Sequence, residues 1–345
     1  MEYDESPRVS RLHDALDHLD DAMVLLSLHE VGVYGALVNG PKTSAEIADQ
    51  LGLHAHRLAS FLHMAAQLGV VRKEDGRFGL FPGDAPFFDP ASPFGAGLPK
   101  LSMSRMFGVR GRAADLLRGA PFDAVAGTGG EVGQQARGEF IRYIDAISHR
   151  GAAELAALLP EMSVREVMDL GGGGGGYTHA VLARFDGARG LIVDRADAEA
   201  TVRALATDRG FAARTDFAAL DIVVDPLPTG KDVIILSNVV HCLSPEANAR
   251  LIGNIARSLS PGGVVAIKDY TVDADHTGPA LALRFAVTMA VNSEGGGVYS
   301  PAEVSTWCID AGLEVLAAFE MTQAEGSYTV VARRGRAQPR DISGE

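Results

Sequence analysis

Several things are scarce in this 345-residue chain, and each scarcity excludes something. There are two cysteines, Cys242 and Cys308, far apart in the sequence. That excludes a disulfide framework and a cysteine-based zinc centre, and it points to a reducing compartment, the cytoplasm. Histidines and carboxylates do not cluster at ligand spacing, so no metal is expected. Basic residues are outnumbered, with 31 Lys and Arg against 44 Asp and Glu and a net charge of -13. A surface this acidic repels phosphate backbones, which argues against nucleic acid as a partner. No apolar run approaches the ~18 residues that a membrane helix needs, so no membrane partner is expected. The opening MEYDESPRVS is acidic and polar rather than a secretory leader.

What is present is a composition of 47% apolar and 22% charged residues, ample for two domains with cores. Residues 8–82 read as short amphipathic helices followed by a hairpin. One helix is expected over Asp21–Leu37, ended by Pro41 and Lys42. The next, Ala45–Leu51, is capped by Thr43 or Ser44. A third runs from His56 to Leu68 and stops at Gly69. Val70–Lys73 and Arg77–Leu80, joined through Glu74, Asp75 and Gly76, form the hairpin. Three helices and a hairpin make a winged helix, and 8–98 is assigned to it. The glycine-rich stretch 117–135 reads as a loop, and Glu139–Leu159 as a helix. Residues 99–160 are taken as a helical linker that also walls a substrate pocket. Winged helices often bind DNA, but HAHRLASFLHMAAQL carries one arginine and no phosphate-contacting face.

From Val164 the pattern alternates strand and helix. Strands are expected at Val164–Asp169, Gly190–Asp194, Asp232–Ser237 and Val264–Asp269. Helices are expected at Gly176–Phe185, Ala196–Arg209, Pro245–Leu259, Pro279–Asn292 and Pro301–Ala311. That alternation specifies an α/β fold with a doubly wound, mostly parallel sheet over residues 161–334. Leu313–Glu320 and Ser327–Arg333 should add an antiparallel pair at its edge. Residues 335–345 are polar and expected to be a disordered tail.

Six consecutive glycines, 171–176, follow the apolar strand residues Val167–Leu170. Such a run lets backbone approach a ligand and turn sharply into a helix whose N-terminal N–H groups are free. Gly171, Gly173 and Gly176 satisfy the dinucleotide fingerprint, and Asp194 stands at the end of the next strand, where a carboxylate accepts ribose hydroxyls. NAD and S-adenosylmethionine both carry a ribose. Asp169 separates them, because a carboxylate in the loop favours a cationic ligand end and repels a pyrophosphate. Asp221, in LDIVVDPLP, sits where a carboxylate can take an adenine amino group.

VMDLGGGGGG, GLIVD, DIVVDPLP, KDVIILSNVVH and LSPGGVVAIKD resemble the O-methyltransferase family that includes caffeate, acetylserotonin and antibiotic-tailoring enzymes. The N-terminal VGVYGALVNGPKTSAEIADQLGL resembles that family's winged-helix dimerisation domain. The likeness covers nearly the whole chain. It implies a Rossmann-like methyltransferase sheet, S-adenosylmethionine as cofactor, a homodimer, and a small aromatic or polyketide-like substrate from secondary metabolism. It also implies that Asp169, Gly171, Gly172, Gly173 and Gly175 hold the methionine end, Asp194 and Arg195 the ribose, and Asp221 with Ile222 the adenine. Ser237 is placed in the cofactor site too, where many members carry a lysine.

Methyl transfer to oxygen requires removal of the nucleophile's proton, and a histidine suits that task. His241 follows the strand Asp232–Ser237, at the C-terminal end where parallel sheets bind ligands. Its distance from Asp232 matches the family's catalytic histidine, and Asp269 matches that histidine's acidic partner. Two departures stand out. The family's His-Asp-Trp is here His241-Cys242-Leu243, and a second acid expected after a GG turn is Val298. With one acid where the family has more, the imidazole is expected to be less strongly held and less basic than in the family, which leaves room for C-methylation of an activated ring or for cofactor binding without methyl transfer. Phe140, Tyr143, Phe285, Met289 and Asn292 fall at positions that wall the substrate pocket in the family.

Overall fold

The computed structural model describes residues 7–89, 111, 113–120 and 134–336. The chain divides into two compact units, Met1–Gly111 and Arg112–Glu345. The expectations for 99–110, for most of the 117–135 loop and for 337–345 lie outside the described residues.

In the first unit the expected Asp21–Leu37 helix is two. Pro7–Glu30 runs first, and Val33–Ala36 follows a break at Gly32, whose φ is +82°. A glycine in the left-handed region ends a helix whatever the apolar pattern around it. Ser44–Leu51 opens with a full capping box, in which Thr43 and Glu46 satisfy each other's backbone N–H groups. Ala55–Gln67 leads to the hairpin of β1 (Arg72–Glu74) and β2 (Arg77–Gly79). Asp75 and Gly76 both have positive φ there, which suits the twist of a tight hairpin. Leu28, Leu37, Ile47, Leu62 and Phe78 form this unit's core.

The second unit is built on a seven-stranded sheet. Its strands are β3 (Glu166–Leu170), β4 (Arg189–Asp194), β5 (Thr215–Ala219), β6 (Lys231–Ser237), β7 (Leu259–Tyr270), β8 (Leu313–Glu320) and β9 (Ser327–Arg334). The order is β5-β4-β3-β6-β7-β9-β8, with the first five parallel and β9 antiparallel to both β7 and β8. Strand β5, the third of this sheet in chain order and ending just before Asp221, had no expected bounds, because its residues Thr-Asp-Phe-Ala-Ala carry little apolar signal at an edge position.

The inner strands are buried on both faces, as their unbroken apolar runs require. On one face Ile234, Leu236, Val265 and Ile267 pack against Leu251, Ile252 and Ile255 of the helix Pro245–Ser258 and against Val304 of the helix Pro301–Asp310. On the other, Val233, Ile235, Val264 and Ala266 meet Leu155 of the helix Gln134–Leu158 and Val181 and Leu182 of the helix Gly176–Arg184. Because the first five strands are parallel, Leu170, Asp194, Ala219, Ser237 and Tyr270 all end on one edge. Among the described residues no helix is long and apolar enough to cross a membrane.

The helix Pro301–Asp310 also starts with a capping box, Ser300 with Glu303. Ser300→Ala is expected to lower stability by about 1 kcal/mol, read as a lower thermal midpoint. An unchanged midpoint would show that the cap contributes nothing.

Candidate functional site

The glycine loop is shaped by what surrounds it. At Gly174 a methyl group would lie 2.5 Å from Asp145 Oδ1, so no side chain fits without displacing that carboxylate. Asp145 comes from the helix Gln134–Leu158, is buried, and is ion-paired with Arg209. Gly173 is the opposite case. Its φ is +52° and nothing would meet a Cβ within 4 Å, so its backbone faces open space. Its N–H donates to Asp194 Oδ2 at 2.9 Å, and Arg195 N donates to Asp194 Oδ1 at 2.7 Å. Asp194 therefore ties the loop to the end of β4. Gly171, Gly172 and Gly175 complete the turn into the helix Gly176–Arg184, whose first residues have no side-chain cap.

Asp169 lies beneath this loop, 1% exposed, with Oδ2 accepting a 2.8 Å bond from Thr178 Oγ1. Burial pushes its carboxyl up to about 7, with the Asp194 charge adding to the rise and the Thr178 bonds opposing it. Asp221 follows β5 and is exposed; its Oδ1 accepts from Val223 N at 2.9 Å. Ile222 beside it packs half-buried on the main core. The guanidinium of Arg195 turns to Asp197. At the end of β6, Ser237 is 8% exposed and its Oγ has no hydrogen-bond partner.

His241 stands on a single 3₁₀ turn, Val240–Cys242, just past β6. Asn248 Nδ2 donates to the Val240 and Leu243 carbonyls and so anchors that turn. Gly297 N donates to the His241 carbonyl at 3.0 Å, and a Cβ at Gly296 would lie 2.7 Å from the same oxygen. The imidazole is bound twice to Asp269: Nδ1 pairs with Oδ1 at 2.8 Å, and the His241 backbone N–H donates to Oδ2 at 3.3 Å.

Among the described residues, the departures at Cys242 and Val298 leave the imidazole with one buried acidic partner. Burial alone disfavours the imidazolium. The charge and hydrogen bond of Asp269 outweigh it, with a smaller contribution from Cys242, and lift His241 to about 10. One well-placed carboxylate in a buried site suffices. A histidine raised in the folded state stabilises the fold fully below its ordinary value near 6.5 and loses that contribution as pH rises through about 10.

Phe285 meets the imidazole edge-on, with ring centroids 4.8 Å apart, and Tyr270 lies 4.2 Å from Phe285. Val298 belongs to the same apolar cluster, so a hydrophobic wall stands where an acid was expected. Asn292 is exposed, and its Nδ2 donates to the Thr288 carbonyl of its own helix. Met289 is half-buried on that helix. Phe140 and Tyr143 lie on the helix Gln134–Leu158, but their side chains are outside the described residues. Asp145, Asn248 and the Gly296–Gly297 clip were not foreseen. The sequence carries no spacing that links Asp145 to a loop some 30 residues later. Among the described residues no group of three His, Cys, Asp or Glu side chains could hold a metal ion.

The O-methyltransferase domain family matches residues 126–314, more than half the chain. This protein belongs to that family. It is 29% identical over 310 residues to a 3-hydroxy-5-methyl-1-naphthoate 3-O-methyltransferase of Streptomyces sahachiroi, covering 87% of this chain and 88% of the relative. Among solved structures, the mitomycin 7-O-methyltransferase is 25% identical, with a TM-score of 0.83 over 95% of this chain and 98% of that one. Human N-acetylserotonin methyltransferase, solved with S-adenosylmethionine, shares the fold at 20% identity, with a TM-score of 0.79 over 97% of this chain and all of that one. The protein is an S-adenosylmethionine-dependent methyltransferase.

The residues present fit that cofactor. The open face of Gly173 admits a ligand against backbone. The buried Asp169 carboxyl is held up by desolvation and would be relieved by a cation. The orphaned Ser237 hydroxyl awaits a polar group. S-adenosylhomocysteine should accordingly raise the melting temperature. Asp194→Ala, which unties the loop from β4, should shrink that shift; a full shift in the variant would remove Asp194 from the site.

Proposed function

We propose that this enzyme methylates a hydroxyl of a small aromatic or polyketide-like natural product in the cytoplasm, with His241 as general base. The observation that carries this reading is the His241–Asp269 pair, buried beside an aromatic wall at the strand edge that holds the cofactor loop. The names of the naphthoate and mitomycin relatives support an aromatic substrate. S-adenosylmethionine supplies, when bound, a methyl group on a sulfonium, which is a good leaving group.

Asp269 occupies Nδ1, so Nε2 is the nitrogen that meets the substrate hydroxyl. With His241 raised to about 10, the free enzyme carries an imidazolium at neutral pH. To act as base the imidazolium first gives its proton to solvent; the neutral imidazole then takes the phenol's proton through Nε2, which leaves a phenolate paired with an imidazolium and one proton released in all. The base is thus matched to the acid it deprotonates, since an ordinary phenol also ionises near 10. Phe285 and Tyr270 exclude water and offer their faces to an aromatic ring.

His241→Ala should cut turnover of an ordinary phenol by ~10²–10⁴ at pH 7.5 and leave S-adenosylhomocysteine affinity nearly intact. The deficit should shrink with a nitrophenol already ionised at that pH. Asp269→Asn removes the charge that raises the imidazole, so burial wins and the histidine becomes neutral at pH 7; the loss should be smaller than for His241→Ala. Labelled methyl from the cofactor should be found on oxygen. Wild-type rates in His241→Ala with an un-ionised phenol would make His241 structural.

We further infer a two-fold homodimer through the first unit. Its helix Pro7–Glu30 exposes Leu16 and Leu19, 64% and 48% accessible, which a partner would cover. Light scattering should give twice the chain mass at micromolar concentration, and a monomer there would overturn the inference.

A further inference from the structure

Lys268 is a buried cation with an unusual set of neighbours. It is 5% exposed, and its Nζ donates to Asn238 Oδ1 at 2.8 Å. Among the described residues no carboxylate lies within ion-pairing distance of that ammonium, whereas buried lysines are otherwise paired with an acid. Burial lowers the pKa of its ammonium, and the nearby Asp269 charge raises it. Its ammonium also lies 5.4 Å above the Tyr270 ring.

Its position in the sheet is informative. Ser237 and Lys268 are direct register partners on the parallel strands β6 and β7. Val233 and Ile235 of β6, and Val264 and Ala266 of β7, face the helix Gln134–Leu158. Side chains alternate along a strand, so Ser237 and Lys268 face that way too. The Ser237 hydroxyl there is buried and without a partner. The Tyr177 hydroxyl, from the helix that starts at the glycine loop, approaches Ser237, Asn238 and Ser148. Asn238 has a φ of +56°, a strained conformation for a residue with a side chain, and its amide oxygen receives the lysine. Val239, next along, would touch a Cβ placed on Gly171 at 2.7 Å. One ammonium and two hydroxyls therefore gather beside the loop that holds the cofactor. They form a buried, donor-rich cluster whose natural guest is a carboxylate.

S-adenosylmethionine has one anionic group, the α-carboxylate of its amino-acid tail. We propose that Lys268 is the cation for this carboxylate, with Ser237 and Tyr177 as its neutral donors. The two ends of the zwitterion are then read by separate groups: Asp169 attracts the ammonium and Lys268 the carboxylate. This rests on S-adenosylmethionine being the cofactor and not on the role given to His241.

The test is a pair of ligands that differ in the carboxylate alone, S-adenosylmethionine and its decarboxylated form, titrated calorimetrically into purified enzyme without substrate. Wild type should prefer the intact cofactor by ~10- to 100-fold, the range for a charge-assisted contact. Lys268→Gln should lose most of that preference by weakening S-adenosylmethionine and leaving the decarboxylated ligand unchanged. Ser237→Lys added to Lys268→Gln should restore it, since the ammonium returns at the paired position. Melting curves establish that each variant is folded, and if Lys268→Gln is not, Lys268→Met with Ser237→Lys serves in its place. An unchanged preference in the variant, or equal weakening of both ligands, overturns the proposal. So does a wild type that binds the two ligands alike. Binding of neither ligand by the wild type would instead count against the cofactor site itself.

Discussion

The backbone of the glycine loop and the end of β6 press against each other, and the rest of the site is arranged around that contact. A single added carbon at Gly171 would come within 2.7 Å of Val239 Cγ2. Val239 stands two residues before His241 and immediately after Asn238. The glycine loop and the segment that carries His241 therefore have one shared support. The loop's other side is equally constrained, because Gly174 abuts Asp145 and Asp145 is fixed by Arg209. A site held this way pays for precision with glycine. Each of these positions is flexible in the unfolded chain and restricted in the folded one.

Two buried carboxylates illustrate how surroundings, and not residue type, set chemistry. Asp169 is pushed up to about 7 because burial strips its hydration, and among the described residues no cation pairs with it. Asp269 is just as buried, yet it lies 2.8 Å from an imidazole and raises that group to about 10. The first carboxylate awaits a positive charge from a ligand. The second already has one in the protein. A parallel sheet puts both at the same edge, since β3 and β7 each flank β6 and run the same way.

The strand and helix alternation, the antiparallel pair at the sheet edge and the small hairpin of the first unit could all be read from apolar spacing and turn residues. The glycine run, Asp194 and His241 stood out as candidates because each sits in a short local motif. What escaped reading depends on contacts remote in sequence. Strand β5 is short and half polar, so only its pairing with β4 defines it. Asp145 belongs to a helix whose link to the loop appears only in three dimensions. The basicity of His241 is not legible from the acids near it in sequence, because the partner that raises it, Asp269 at 2.8 Å, comes from a neighbouring strand. Lys268 looked like an ordinary strand residue. Its interest lies in being opposite Ser237, and register is a property of the folded sheet.

The arrangement of charge also bears on the state in which a substrate reacts. On the proposed reading an imidazolium at His241 would face a substrate oxygen that must also meet the positive charge of the cofactor. Two such cations repel each other in a site lined by Phe285 and Tyr270, where little water screens them. A neutral hydroxyl leaves that repulsion in place, whereas an oxyanion attracts both. The same electrostatics that make His241 a reluctant proton donor therefore favour ionised substrate over neutral substrate in the bound state. Val298, apolar where an acid was expected, fits this arrangement. A second carboxylate there would compete with the oxyanion for the imidazolium, and its absence leaves the substrate as the principal partner for that charge beyond Asp269.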